Sequence, residues 1–105
     1  MNIEFGEQYL LDLYEKGVCS DKKHRYQPEI IKAYRRCIDK LLSAPTLETL
    51  YNIHSLNYEV LTGDKKGICS VRINSKYRLE FKIQSAHESQ ILTICFILDI
   101  TNHYQ

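Results

Sequence analysis

The spacing of apolar residues changes character once along this chain, near Tyr58, and that change constrains the fold more than any other feature. Before it, apolar side chains recur at helical intervals. Tyr9, Leu10, Leu13 and Tyr14 predict a helix over Glu7–Lys16, ended by Gly17. Pro28 suits the first turn of a second helix running to Leu42, with Ile30, Ile31, Tyr34, Cys37, Ile38, Leu41 and Leu42 forming one stripe. Ala44-Pro45 stops that helix, and Thr46 can cap a short third one through about Asn52. From Tyr58 the period falls to two, which predicts strands over Tyr58–Leu61, Ile68–Ile73, Tyr77–Ile83 and Ile91–Asp99. Residues 2–5 form a further short strand, and Ser85–Gln90 a polar turn. The continuous apolar run Ile91–Leu98 reads as a strand buried on both faces. Helices first and strands afterwards specify an α+β fold, with the helices packed on one face of a mostly antiparallel, curved sheet. At 105 residues the expectation is one domain, 1–105.

Parity along two of these strands points to a site. Cys69, Val71 and Ile73 share one face; Ser70 and Arg72 take the other. On the return strand Tyr77, Leu79, Phe81 and Ile83 alternate with Arg78, Glu80 and Lys82. An odd-length turn at Asn74-Ser75-Lys76 keeps Arg72 and Arg78 on the same face; an even one separates them. A Gly-bracketed basic turn, Gly63-Asp64-Lys65-Lys66-Gly67, precedes the first strand. Two fixed guanidiniums beside a lysine turn make a good receptor for phosphate.

Charge supports an anionic partner. All 14 Lys and Arg lie between Lys16 and Lys82. Residues 62–82 hold six of them against two acids, although the net charge is only +1. For residues 16–40 alone, a solvated helix face is the simpler reading. The four cysteines form no CxxC pair and read as reduced core thiols. Histidines and carboxylates show no metal-ligand spacing, and no cofactor fingerprint is present. His24 and His87 fall in polar loops and are expected to face solvent. Met1–Leu10 lacks the pattern of a signal peptide, and no run is long enough to span a bilayer, so a reducing cytoplasm is the expected compartment.

The string Leu56–Phe81, of the form L-x-Y-E-x-L-x-G-D-x-K-G-x-x-S-V-R-I-N-x-x-Y-R-x-x-F, followed by Asn102, His103 and Tyr104, resembles the HigB-like branch of the RelE/ParE superfamily of type II toxins. The resemblance implies a small toxin that enters the ribosomal A site and cuts mRNA as an endoribonuclease. It also implies a cognate HigA-like antitoxin with a helix-turn-helix domain, through which the complex binds operator DNA. Carried over by position, Arg72, Arg78 and a basic residue of the Gly-bracketed turn, Lys65 or Lys66, would hold the scissile phosphate and His103 would transfer protons. Lys66, Lys76, Tyr104 and Asn57 would contact RNA. Two positions depart from the family pattern: Asn57 stands where His is frequent, and Thr62 where Lys is frequent. Lys65, Lys66 or His54 could cover the loss. The superfamily also includes toxins that act on a protein such as gyrase, and an inactive relative would retain only antitoxin pairing and operator regulation. Asp99 could orient His103 or satisfy backbone donors.

Overall fold

A computed structural model of the chain describes residues 1–85 and 93–102. The elements follow in the order β1 (Asn2–Phe5), α1 (Gln8–Glu15), α2 (Pro28–Ser43), α3 (Leu47–Asn52), β2 (Glu59–Val60), β3 (Cys69–Arg72), β4 (Tyr77–Ser85) and β5 (Thr93–Asn102). The strands form one sheet in the order β1-β5-β4-β3-β2. All neighbours are antiparallel except β1, which runs parallel to β5. This is the α+β arrangement that the change of period predicts.

The helices form where the apolar stripe demands. In α2 the buried residues are Ile30, Ala33, Tyr34, Cys37, Ile38 and Leu41, a three-and-four repeat along one side. Pro28 opens the helix, Glu29 complements its positive end, and Lys40 its negative end. In α1 the same logic buries Tyr9, Leu10 and Leu13. Gly17 (φ +75°) closes that helix, its amide N–H donating a hydrogen bond to the Leu13 carbonyl. The fully buried Tyr34 joins the helices by donating its hydroxyl to the Leu10 carbonyl at 2.6 Å. Thr46 caps α3, accepting from the Thr49 amide.

Both helices share one core with Cys69, Val71, Leu79, Phe81, Cys95, Ile97 and Ile100 of the sheet. Each fully buried aliphatic side chain here contributes roughly 1.5–3 kcal/mol over its exposed state. β1 closes the far edge. The Gly6 amide donates to the Ile97 carbonyl at 2.8 Å, and a Cβ on Gly6 would stand only 2.7 Å from that oxygen. No other residue fits so close an approach.

The strand forecasts need four corrections. β5 ends at Asn102 rather than Asp99, because β4 begins at Tyr77, whose pairing partner is Asn102. β4 likewise continues past Ile83 to Ser85, and the segment at Tyr58–Leu61 pairs only over Glu59–Val60. β5 is buried on one face only, since Phe96 and Leu98 remain half-exposed. The helices cover a single side of the sheet, so no second layer shields them. A register shift after Phe81↔Ile97 places Asp99, not Leu98, opposite Glu80. The Ser85–Gln90 turn lies largely outside the described residues, as does His87. Among the described residues no helix is long and apolar enough to cross a membrane.

Candidate nucleic-acid interface

The β3–β4 hairpin turns through Asn74, Ser75 and Lys76, the odd-length loop that parity requires. Asn74 shapes it: its side-chain oxygen accepts from the amides of Lys76 and Tyr77, each at 2.8 Å. Arg72 and Arg78 are consequently direct partners across the strands, on the face opposite the helices. Like charges placed opposite one another destabilise a sheet. A sequence selected for stability alone has no use for this pairing, which makes the arginine pair a candidate site.

The two arginines differ in environment. The Arg78 side chain is only 13% exposed. Its Nε donates to Ser70 Oγ at 2.8 Å, and its Nη2 donates to the Asn57 carbonyl at 2.8 Å. Glu59 stands 3.7 Å from the same Nη2. Asn57 reaches it because its backbone is left-handed (φ +46°, ψ +56°), a conformation that asparagine tolerates better than most residues. Arg72 is exposed, and among the described residues no carboxylate lies within ion-pair distance of it. One guanidinium is thus braced and the other is available.

The lysine turn is a short 3₁₀ segment, Gly63–Lys65, with positive φ at Gly63 (+68°) and Gly67 (+91°). It swings Lys65 across the sheet, where the ammonium donates to Glu80 Oε2 at 2.7 Å. Glu80 is nearly buried on β4, two residues from Arg78. A buried carboxylate needs such a partner. Lys66 points to solvent with no ionic partner among the described residues, so the structure distinguishes the two lysines: Lys65 is anchored at the arginine face and Lys66 is free.

Other expected residues divide. Lys76 is exposed on the hairpin turn, Thr62 and His54 are exposed, and Asn57 contributes its carbonyl to Arg78. His103 and Tyr104 lie outside the described residues. Asp99 accepts the Tyr9 hydroxyl at 2.5 Å and the Ile100 amide at 2.9 Å, so its visible role is structural. Burial, reinforced by that carboxylate, holds the Tyr9 phenol well above its usual range. His24 faces solvent only in part, its side chain 25% exposed. Its ring stacks on Tyr9 with centroids 3.6 Å apart, and its Nδ1 lies 2.8 Å from Asp21 Oδ2. Sequence reasoning missed Ser70 and Glu59 as braces of Arg78. Parity on β3 placed Ser70 beside Arg72, which was the one signal available. Among the described residues no cluster of three or more potential ligands could hold a metal ion.

Known proteins resemble this chain in sequence and in fold. The family profile described as "RelE-like toxin of type II toxin-antitoxin system HigB" matches residues 3–102. Toxin HigB-1 of Vibrio cholerae serotype O1 is 36% identical over 85 residues, covering 78% of this chain and 83% of that protein. Among solved structures, a YoeB/ParE toxin from Agrobacterium tumefaciens superposes with a TM-score of 0.55 at 15% identity, covering 99% of this chain and 100% of that one. A YoeB-YefM complex from Staphylococcus aureus gives 0.50 at 23% identity, covering 99% and 98%. At these identities the structural likenesses speak for the fold alone.

Proposed function

Because the chain belongs to the HigB-like family of RelE-like toxins, and is therefore a toxin of a type II toxin–antitoxin system, we propose that it acts as a ribosome-dependent mRNA endoribonuclease through its arginine face. The observation that carries this reading is the direct opposition of Arg72 and Arg78 on the uncovered side of the sheet, with Lys65 anchored beside them. An RNA strand carries its own nucleophile, the 2′-hydroxyl. Attack on the adjacent phosphorus forms a 2′,3′-cyclic phosphate and expels the 5′-oxygen, which takes up a proton. The protein must place the phosphate, stabilise its growing charge, and move two protons.

Arg78, braced by Ser70 and the Asn57 carbonyl, presents a guanidinium with little freedom left to lose. Arg72 supplies the mobile second fork and Lys65 a point charge. A fixed electrostatic contact of this type is worth on the order of 100–1000-fold in rate. His103 is assigned the proton transfers, worth roughly 100–10000-fold, because an imidazole titrates near neutral pH. Lys66, Lys76 and Tyr104 are assigned to the flanking RNA. The proposed chemistry asks for no metal, since the two guanidiniums and the Lys65 ammonium would stabilise the developing charge. The residues form a single domain acting in the cytoplasm, neutralised by a HigA-like helix-turn-helix antitoxin that carries the complex to operator DNA.

The test is primer extension on a defined mRNA after adding the protein to translating ribosomes, with Arg78→Ala and His103→Ala in parallel. Cuts in register with the A-site codon, lost in both variants, are expected. Intact mRNA from folded wild-type protein would overturn the nuclease reading and turn attention to a protein target such as gyrase.

A further inference from the structure

A cleft of about 470 Å³ lies not on the arginine face but around the end of the β3–β4 hairpin, between its turn and the segment leading into α2. Tyr26 and Tyr77 form its floor, their rings meeting edge to face with centroids 5.6 Å apart, and each stays only half-buried. Arg25 stands on one wall and Lys76 on the other, both exposed; the single acid in the lining is Glu29. Neither cation has an ionic partner among the described residues. Burial raises the Tyr26 phenol to about 12.

This cleft shares the β3–β4 hairpin with the proposed phosphate site. Lys76 and Tyr77 directly precede Arg78, and two residues of extended chain span about 7 Å. Alternation turns Tyr77 and Arg78 to opposite faces, so a strand whose phosphate rests on Arg72 and Arg78 reaches the cleft by passing over the hairpin turn, past Lys76. Aromatic rings flanked by cations are the recurring chemistry of unpaired nucleotides: rings contact the base, and guanidinium or ammonium holds the backbone. We propose that the cleft receives one unpaired nucleotide flanking the cut, with its base against Tyr26 and Tyr77 and its phosphate between Arg25 and Lys76. It would thereby set base preference beside the scissile bond. The proposal rests on the nuclease reading above and adds to it a site on the helix side of the sheet.

The test is the cut spectrum on ribosomes translating an mRNA pool randomised around each codon, sequenced at every cleavage position. Tyr26→Leu removes an aromatic surface, and Arg25→Gln, at an exposed position, removes charge without touching the core. Both should flatten base preference at one position adjoining the cut and slow cleavage by about 5- to 150-fold, the range for loss of one stacked or cation-held base. Arg72→Gln should slow cleavage with the preference retained. Wild-type preference and rate in folded Arg25→Gln and Tyr26→Leu would overturn the nucleotide site and leave the nuclease reading standing. Unchanged cutting with loss of neutralisation by antitoxin would likewise overturn it, assigning the cleft to the protein partner. A wild-type protein that leaves the pool intact would remove the nuclease reading and this site together.

Discussion

Ser70→Ala isolates the brace on Arg78. Ser70 is fully buried, and its Oγ is the acceptor for Arg78 Nε at 2.8 Å. The substitution deletes one oxygen, changes no charge and suits a strand interior. A hydrogen bond to a charged group is worth about 1.5–3 kcal/mol. Arg78 keeps its bond to the Asn57 carbonyl and is slightly exposed, so water recovers part of the loss. The expected destabilisation is about 2 kcal/mol, or a fall in Tm of roughly 8 °C for a domain of this size. Urea unfolding of Ser70→Ala, Arg78→Ala and the double variant completes a thermodynamic cycle. Removing either partner removes the same bond, so the two costs should fall short of additivity by about 1–2 kcal/mol. In the proposed reaction the braced guanidinium also sets the position of the phosphate, and a displacement near 1 Å costs on the order of 100-fold in rate. Ser70→Ala should therefore slow mRNA cutting by about 10- to 100-fold. Energies that add to within about 0.5 kcal/mol would show that the pair is not coupled. Wild-type cutting by the destabilised variant would refute the claim that the brace serves catalysis.

Gly6→Ala should lower the urea midpoint sharply, because the new methyl meets the Ile97 carbonyl at 2.7 Å and forces β1 off β5; amide exchange at Gly6 would report the detachment. Asn57→Gly should change stability by less than about 0.5 kcal/mol, whereas Asn57→Val should cost roughly 1–2 kcal/mol by forcing a β-branched residue into the left-handed region, read by the same unfolding assay. Alkaline pH should destabilise the fold. Burial raises Cys37 and Cys95 from 9.0 to about 11 and Tyr26 from 10.0 to about 12, so the folded state retains protons that the unfolded chain releases. Their contribution is whole below pH 9 and declines as pH rises towards 12; for Cys37 it is at most about 3 kcal/mol. Urea midpoints at pH 8 and pH 10.5 measure it, and equal midpoints would contradict it. At pH 8 a thiol reagent should modify the half-buried Cys19 first, with Cys37, Cys69 and Cys95 following only on unfolding.

The hairpin was legible because two local rules, alternation and an odd turn, suffice to pair Arg72 with Arg78. The helix stripes were legible for the same local reason. The environment of each arginine was not. Glu80 alternates with Arg78 along β4 and invites the guess of an arginine partner, yet it binds Lys65, because the glycine turn carries that ammonium across the sheet. The Asn57 carbonyl reaches Arg78 across 21 positions through a left-handed backbone that composition does not disclose. His24 was read as a loop residue because the aromatic partner it stacks on, Tyr9, lies on α1. The length of β5 was misjudged because its end is set by Tyr77 on another strand rather than by its own residues.

The parallel pairing of β1 with β5 has a consequence for how the molecule comes into being. Residues 2–5 leave the ribosome first, but their partners are residues 94–97. Contacts so distant in sequence form late in folding. A nascent chain can assemble α1 and α2 while β4, the strand bearing Arg78, still lacks its neighbour β5. Tethered to the machine that makes it, such a chain holds an incomplete sheet and an unsupported arginine pair. The sheet of this chain is therefore complete only once synthesis has passed Asn102. Chains halted before Thr93 leave β4 as a bare edge, which favours their aggregation and disposal over a partly active fragment.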